Sequence, residues 1–229
     1  MKLICISLLL SFFSLLCFAQ TSDPTLDTTG LPAYLRLLPP PSPEPWRKIT
    51  GKQRFENFAS FTLSPGAGLA SVTSAAFGQA LNSPKEWGQG WRPYGKRVAS
   101  SYGGTAVAYT ITYATSALFK EDNRYFRSNK NGFTARLGHA IISPYVAHNN
   151  SGGTHFSASS FLGSAAGSAI PLLWSPPSWQ GWNRVAVSYS LWYGGLAGVN
   201  LVREFLPGLI HKARLKHDSK TMPSSSPKK

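Results

Sequence analysis

The residues best placed to do chemistry lie in the most charged stretch, KEDNRYFRSNKNGFTAR over residues 120–136, where Glu121 and Asp122 stand beside Arg124 and Arg127. Adjacent carboxylates can hold a metal, or divide acid and base work once their pKa values are separated. With arginines alongside, ion pairing is the first expectation. His139, His148 and His155 follow at spacings of nine and seven, which match no compact metal motif such as His-Glu-x-x-His. Serines are abundant, but no G-x-S-x-G or S-x-x-K pattern frames a nucleophile. The sequence therefore assigns no catalytic residue, no metal ligand and no cofactor. A periplasmic enzyme acting on lipid or cell-wall material through Glu121, Asp122 or His139 is kept as an alternative.

These groups sit between long uncharged runs, at residues 57–84, 98–119, 137–183 and 185–202. Small residues recur in them at a spacing of four. Ala67, Ser71 and Ala75 form one row, Gly163 and Gly167 a second, and Ser190, Gly194 and Gly198 a third. On helices such rows are seams where another backbone can approach closely, offsetting the roughly 1 kcal/mol that each interior glycine costs in water. Two runs also alternate with strand period. VAYTITY over residues 107–113 and VAVSYSLWY over 185–193 read equally as outer-membrane strands. The choice between helix and strand for residues 98–119 and 185–202 is left open by the pattern.

Aromatic and basic residues mark the ends of the runs. Trp87, Trp91 and Tyr94 are interleaved with Lys85, Arg92, Lys96 and Arg97, and Trp174, Trp179 and Trp182 precede or accompany Arg184. Rings beside cations suit a membrane–water boundary. They also suit stacking on a ligand, or simple pinning of a loop to a core. Arg203-Glu204 closes the last run, and Pro207-Gly208 is expected to stop its helix.

Residues 1–19 read as a secretory signal peptide, with Lys2, an apolar core and Cys17-Phe18-Ala19 at the cleavage position. Both cysteines, Cys5 and Cys17, fall inside it, so the exported chain has no disulfide and no thiolate site. Residues 20–50 are a Pro-rich linker, 51–208 a single helical domain, and 209–229 a basic, disordered tail. The formal charge is +14. For an exported chain whose cations flank uncharged runs, anionic lipid head groups or acidic surface polysaccharide are better partners than nucleic acid. Other envelope proteins, or a second copy, are further candidates. The mean hydropathy of −0.12 is modest for a polytopic membrane protein.

Four segments, PKEWGQG at 84–90, YGKR at 94–97, EDNRYFR at 121–127 and REFLP at 203–207, together resemble an uncharacterised family of exported proteins from Acidobacteria-type bacteria. The resemblance spans about residues 52–208, and it implies a Gram-negative envelope setting without implying a reaction. Such relatives often carry proline where this chain has Asn123.

The expected fold is mainly α, with four to five helices packed through GxxxG interfaces. A small outer-membrane β-barrel is the alternative. The expected function is that of a membrane-embedded or membrane-associated protein of the cell envelope, in the outer membrane or periplasm, with a structural or transport-accessory role.

Overall fold

The computed structural model describes Ser42 and residues 46–221, with side chains given as far as Leu206. The stretch read as a signal peptide, most of the segment read as a Pro-rich linker and the last eight residues, 222–229, lie outside the described residues. The helices are α1 (Gly51–Thr62), α2 (Pro65–Ala80), α3 (Trp91–Phe119), α4 (Phe133–Ile142), α5 (Ala158–Ala169) and α6 (Trp182–Thr221). Between α4 and α5 lies a two-stranded antiparallel ribbon, β1 (Val146–His148) with β2 (Thr154–Phe156), in the register Ala147 opposite His155. The fold is mainly α, and the barrel alternative is overturned.

Local chemistry fixes the helix starts. Thr50 and Gln53 form a reciprocal capping box at α1, Ser64 caps α2 with Pro65 in its first turn, and Ser157 caps α5. The break at Ser64-Pro65 divides one arm in two. Both halves run antiparallel along α3: Arg54 reaches Ser116, Phe61 stacks on Tyr109 at 4.8 Å, and the Tyr94 hydroxyl donates to Val72 O at 3.1 Å.

α5 packs antiparallel on the other side of α3, in the most extensive contact of the molecule. A Cβ at Gly163 would lie 2.6 Å from Ala108 O, and one at Gly167 would lie 2.5 Å from the Ala108 Cβ and 3.0 Å from Gly104 O. Any side chain there would force the helices apart. This contact explains why the alternating residues 107–113 are helical. Ala108 and Thr112 make one i, i+4 row toward α5, while Tyr109 and Tyr113 make another toward α1. Residues 185–193 resolve in the same way, with Tyr189 and Tyr193 both stacked on Tyr145.

α6 crosses the bundle and runs on through Pro207 and Gly208 to Thr221, against the expected stop. A proline removes one ladder hydrogen bond, and the residues after it include the good helix formers Leu209, Lys212, Ala213, Arg214, Leu215 and Lys216. Residues 209–221, read from sequence as disordered, are helical.

Candidate functional site

The bundle has two chemically different ends. At one, the loop of residues 120–132 and the first turn of α4 meet the start of α5, the β-ribbon and Arg203 and Glu204 of α6. Lys120 turns the chain out of α3 in a left-handed conformation (φ 57°) and delivers Glu121 to the N-terminus of α5. The Glu121 carboxylate accepts from the Ala158 and Ser159 amides at 3.1 and 3.0 Å and from the Ser159 and Ser157 hydroxyls at 2.5 and 3.1 Å. Burial pushes its pKa up, but these donors prevail and hold it below the ordinary carboxylate range. His155 Nε2 stands 3.5 Å from the same carboxylate.

Asp122 takes a bidentate grip from Arg124, at 2.9 and 2.7 Å, and a bond from the Trp46 indole at 3.2 Å. Its backbone bridges to His148, joining the loop to the ribbon. Burial lowers the pKa of His148, and Asp122 offsets part of that shift. Asn123, at the position where the resemblance expects proline, donates to Ser159 and accepts from Ser157. Arg54 closes this layer through the Ser116 hydroxyl and Glu121 O, at 2.7 and 2.6 Å.

A second carboxylate organises the adjoining layer. Glu204 is completely buried and accepts from the Tyr125 hydroxyl at 2.5 Å, Arg136 Nε at 2.7 Å and the Ser128 amide at 3.1 Å. Its partner is thus Arg136, while the neighbouring Arg203 turns inward over the Phe61 ring at 5.1 Å. Asn200, one turn earlier, holds Ser143.

This arrangement positions elements rather than reacting atoms. The buried hydroxyls of Ser157 and Ser159 face a carboxylate with no imidazole between them, which is the wrong order for activating a nucleophile. The three histidines are separately employed: His139 meets Phe126 O at 2.9 Å, His148 stacks on Trp46, and His155 adjoins Glu121. Among the described residues no group of three or more His, Cys, Asp or Glu side chains could hold a metal ion.

The other end gathers most of the boundary aromatics. Trp91 and Trp182, the first residues of α3 and α6, are 88% and 87% exposed. Lys96 lies over the Trp87 ring at 4.8 Å and Arg184 over Trp179 at 5.0 Å. Glu86 adjoins Ser178 and Arg184, which connects the two tryptophan loops; the Ser178 hydroxyl holds its carboxyl below the ordinary range. Arg97 is buried and spent internally on Gln79 and on the Ser83 and Pro84 carbonyls. Trp174 lies deeper, against Gly103, with its indole on Ser100.

Of the small residues singled out by spacing, Gly163 and Gly167 lie against α3 and Gly198 is buried. Gly194 is half-buried, and Ser190 is exposed, its hydroxyl returned to Ala186 O. Asn200, Arg136 and Arg54 had no sequence signal, because each finds its partner far along the chain.

No protein-family model, no curated protein and no solved structure matches this chain.

Proposed function

We propose that this chain is a protein of the cell envelope that sits in a lipid bilayer, where its close-packed helices serve a structural or transport-accessory role. The observation that carries this reading is the inversion of burial. Among the described residues the buried apolar side chains, prolines aside, are six alanines and Tyr125, whereas the buried polar set includes Ser71, Ser159, Ser164, Arg203 and Glu204. Large apolar side chains point outward, among them Leu69, Val72, Leu118, Ile142, Phe161 and Leu173.

In water this distribution forfeits the burial of large side chains, each contributing about 1.5–3 kcal/mol, that drives folding. In lipid that drive is absent between helices. They associate instead through small residues and polar contacts, and interior charges are paired. The segment Trp182–Leu206 is long and apolar enough to cross a membrane, and only 17% of its most apolar window is buried in the fold. A core helix would be covered. The uncharged residues 98–119 of α3 extend about 33 Å, close to the roughly 30 Å of a hydrocarbon core. The polar knot and the tryptophan end then fall at its two boundaries, and the signal-like residues 1–19 supply the route of export.

The test is alkaline carbonate extraction of envelopes from cells making the full chain. The protein is expected in the membrane pellet, floating with lipid on a density gradient. Release into the supernatant as a monodisperse folded protein would sink the reading.

A further inference from the structure

We infer that the tryptophan end of the bundle is a docking surface for the phosphate head groups of anionic phospholipids. The inference rests on the bilayer reading above and adds a preferred lipid to it.

Four cations, Lys85, Arg92, Lys96 and Arg184, surround this end, and Glu86 is the only carboxylate in residues 82–97 and 174–184. None of the four forms an ion pair among the described residues. At the opposite end Arg124 and Arg136 are both engaged by buried carboxylates at 2.7 Å. The four cations thus outnumber the one carboxylate among them, Glu86, which adjoins Arg184, and the end keeps a net positive charge. Lys96 and Arg184 rest on the Trp87 and Trp179 faces and are exposed, so an outside acceptor can reach their N–H groups.

The rings beside them favour a lipid source for that acceptor. Trp91 and Trp182 project at the helix starts and continue the apolar surface carried by Leu81 and Leu173. Amphipathic rings sit at the depth of the lipid glycerol, and cations just beyond them meet phosphate. An acidic polysaccharide would use the charges but would leave the exposed apolar rings uncovered. Phosphatidylglycerol satisfies both. Its head group carries the negative charge that phosphatidylcholine lacks, and each basic residue near such a surface adds about fivefold to the association.

The experiment uses the full chain reconstituted into phosphatidylcholine vesicles containing a minority of brominated phosphatidylglycerol or, in parallel, brominated phosphatidylcholine. Bromine on an acyl chain quenches tryptophan only when that lipid is adjacent. The expected result is a preference for phosphatidylglycerol of roughly tenfold or more, weakened by salt. The double variant Lys96→Gln/Arg184→Gln should lose that preference while inserting and unfolding like wild type, and Lys85→Gln/Arg92→Gln should reduce it independently. Equal quenching by both lipids in the inserted wild type would overturn the inference and leave the bilayer reading intact. A preference surviving in both double variants would overturn it too. So would competition by soluble acidic polysaccharide with no lipid preference. Failure to insert into either vesicle would instead bring down the bilayer reading on which it rests.

Discussion

Two ends of one bundle use the same residue types in opposite ways. At the end built around residues 121–136, arginines are turned inward onto carboxylates, and every member of the network holds an element in place. At the tryptophan end, Lys96 and Arg184 lie on aromatic faces and form no ion pair among the described residues, with Glu86 the one carboxylate nearby. The contrast separates two uses of charge. Buried and paired, it fixes the register of α5, α6 and the loop. At the surface, it rests on aromatic faces close by in the chain.

The largest effect should come from breaking the inward network. Glu204→Ala leaves Arg136, the Tyr125 hydroxyl and the Ser128 amide without their common acceptor, at a cost of about 3–5 kcal/mol. Thermal unfolding in detergent should show a large drop in midpoint or no folded protein. Glu86→Gln, at the opposite end, should leave the midpoint where it was. Equal behaviour of the two variants would erase the distinction between the ends.

The seam that joins the ends comes next. Gly167→Leu must push Ala108 and the Gly104 carbonyl away, costing at least about 1–3 kcal/mol. Gly195→Ala in α6 meets nothing within 4 Å and should be neutral or stabilising by up to about 1 kcal/mol. Denaturation of both variants in one detergent distinguishes a close-packed seam from a general intolerance of glycine replacement.

Acid should act most strongly on the polar end, where the titrating groups are buried or half-buried. His148 has a folded pKa below its ordinary 6.5, so the unfolded chain takes up the proton first, and stability begins to fall as pH drops through that value. Glu121 is depressed below its ordinary 4.5, so its contribution is complete above that pH and is lost as pH falls toward its folded pKa. A pH series of unfolding midpoints should therefore decline in two steps on the acid side. Glu121→Gln should reduce the lower step, and a flat profile between neutral pH and the lower carboxylate range would contradict both assignments.

The smallest effect on stability belongs to the exposed rings. Trp91→Ala and Trp182→Ala should leave the unfolding midpoint nearly unchanged while weakening retention by vesicles, which a flotation assay reads directly. A marked loss of stability would mean that these rings are packed, and the outward character of that end would have to be abandoned.

Much of the fold was legible from residue order. The small-residue spacing of Gly163 and Gly167 announces a close backbone approach, whereas the caps at Ser64 and Ser157 were not picked out from the sequence. The alternating residues 107–113 were ambiguous, since period two over seven residues also fits two adjacent helical rows. Only the presence of α5 on one side and α1 on the other decides between them. Pro207 misled because a proline's local penalty can be absorbed when the flanking residues favour helix.

What the chain determines by itself is the segregation of charge from uncharged runs and the clustering of tryptophan beside lysine and arginine, because both are properties of order along the sequence. The tertiary structure alone decides that Glu204 pairs with Arg136 and not with its neighbour Arg203, and that Glu121 caps α5. It alone decides that large apolar side chains face outward while serines and alanines fill the interior. These are relations between residues distant in sequence. A carboxylate's partner is whichever donor the packing of separate helices brings within reach, and no local pattern encodes that distance.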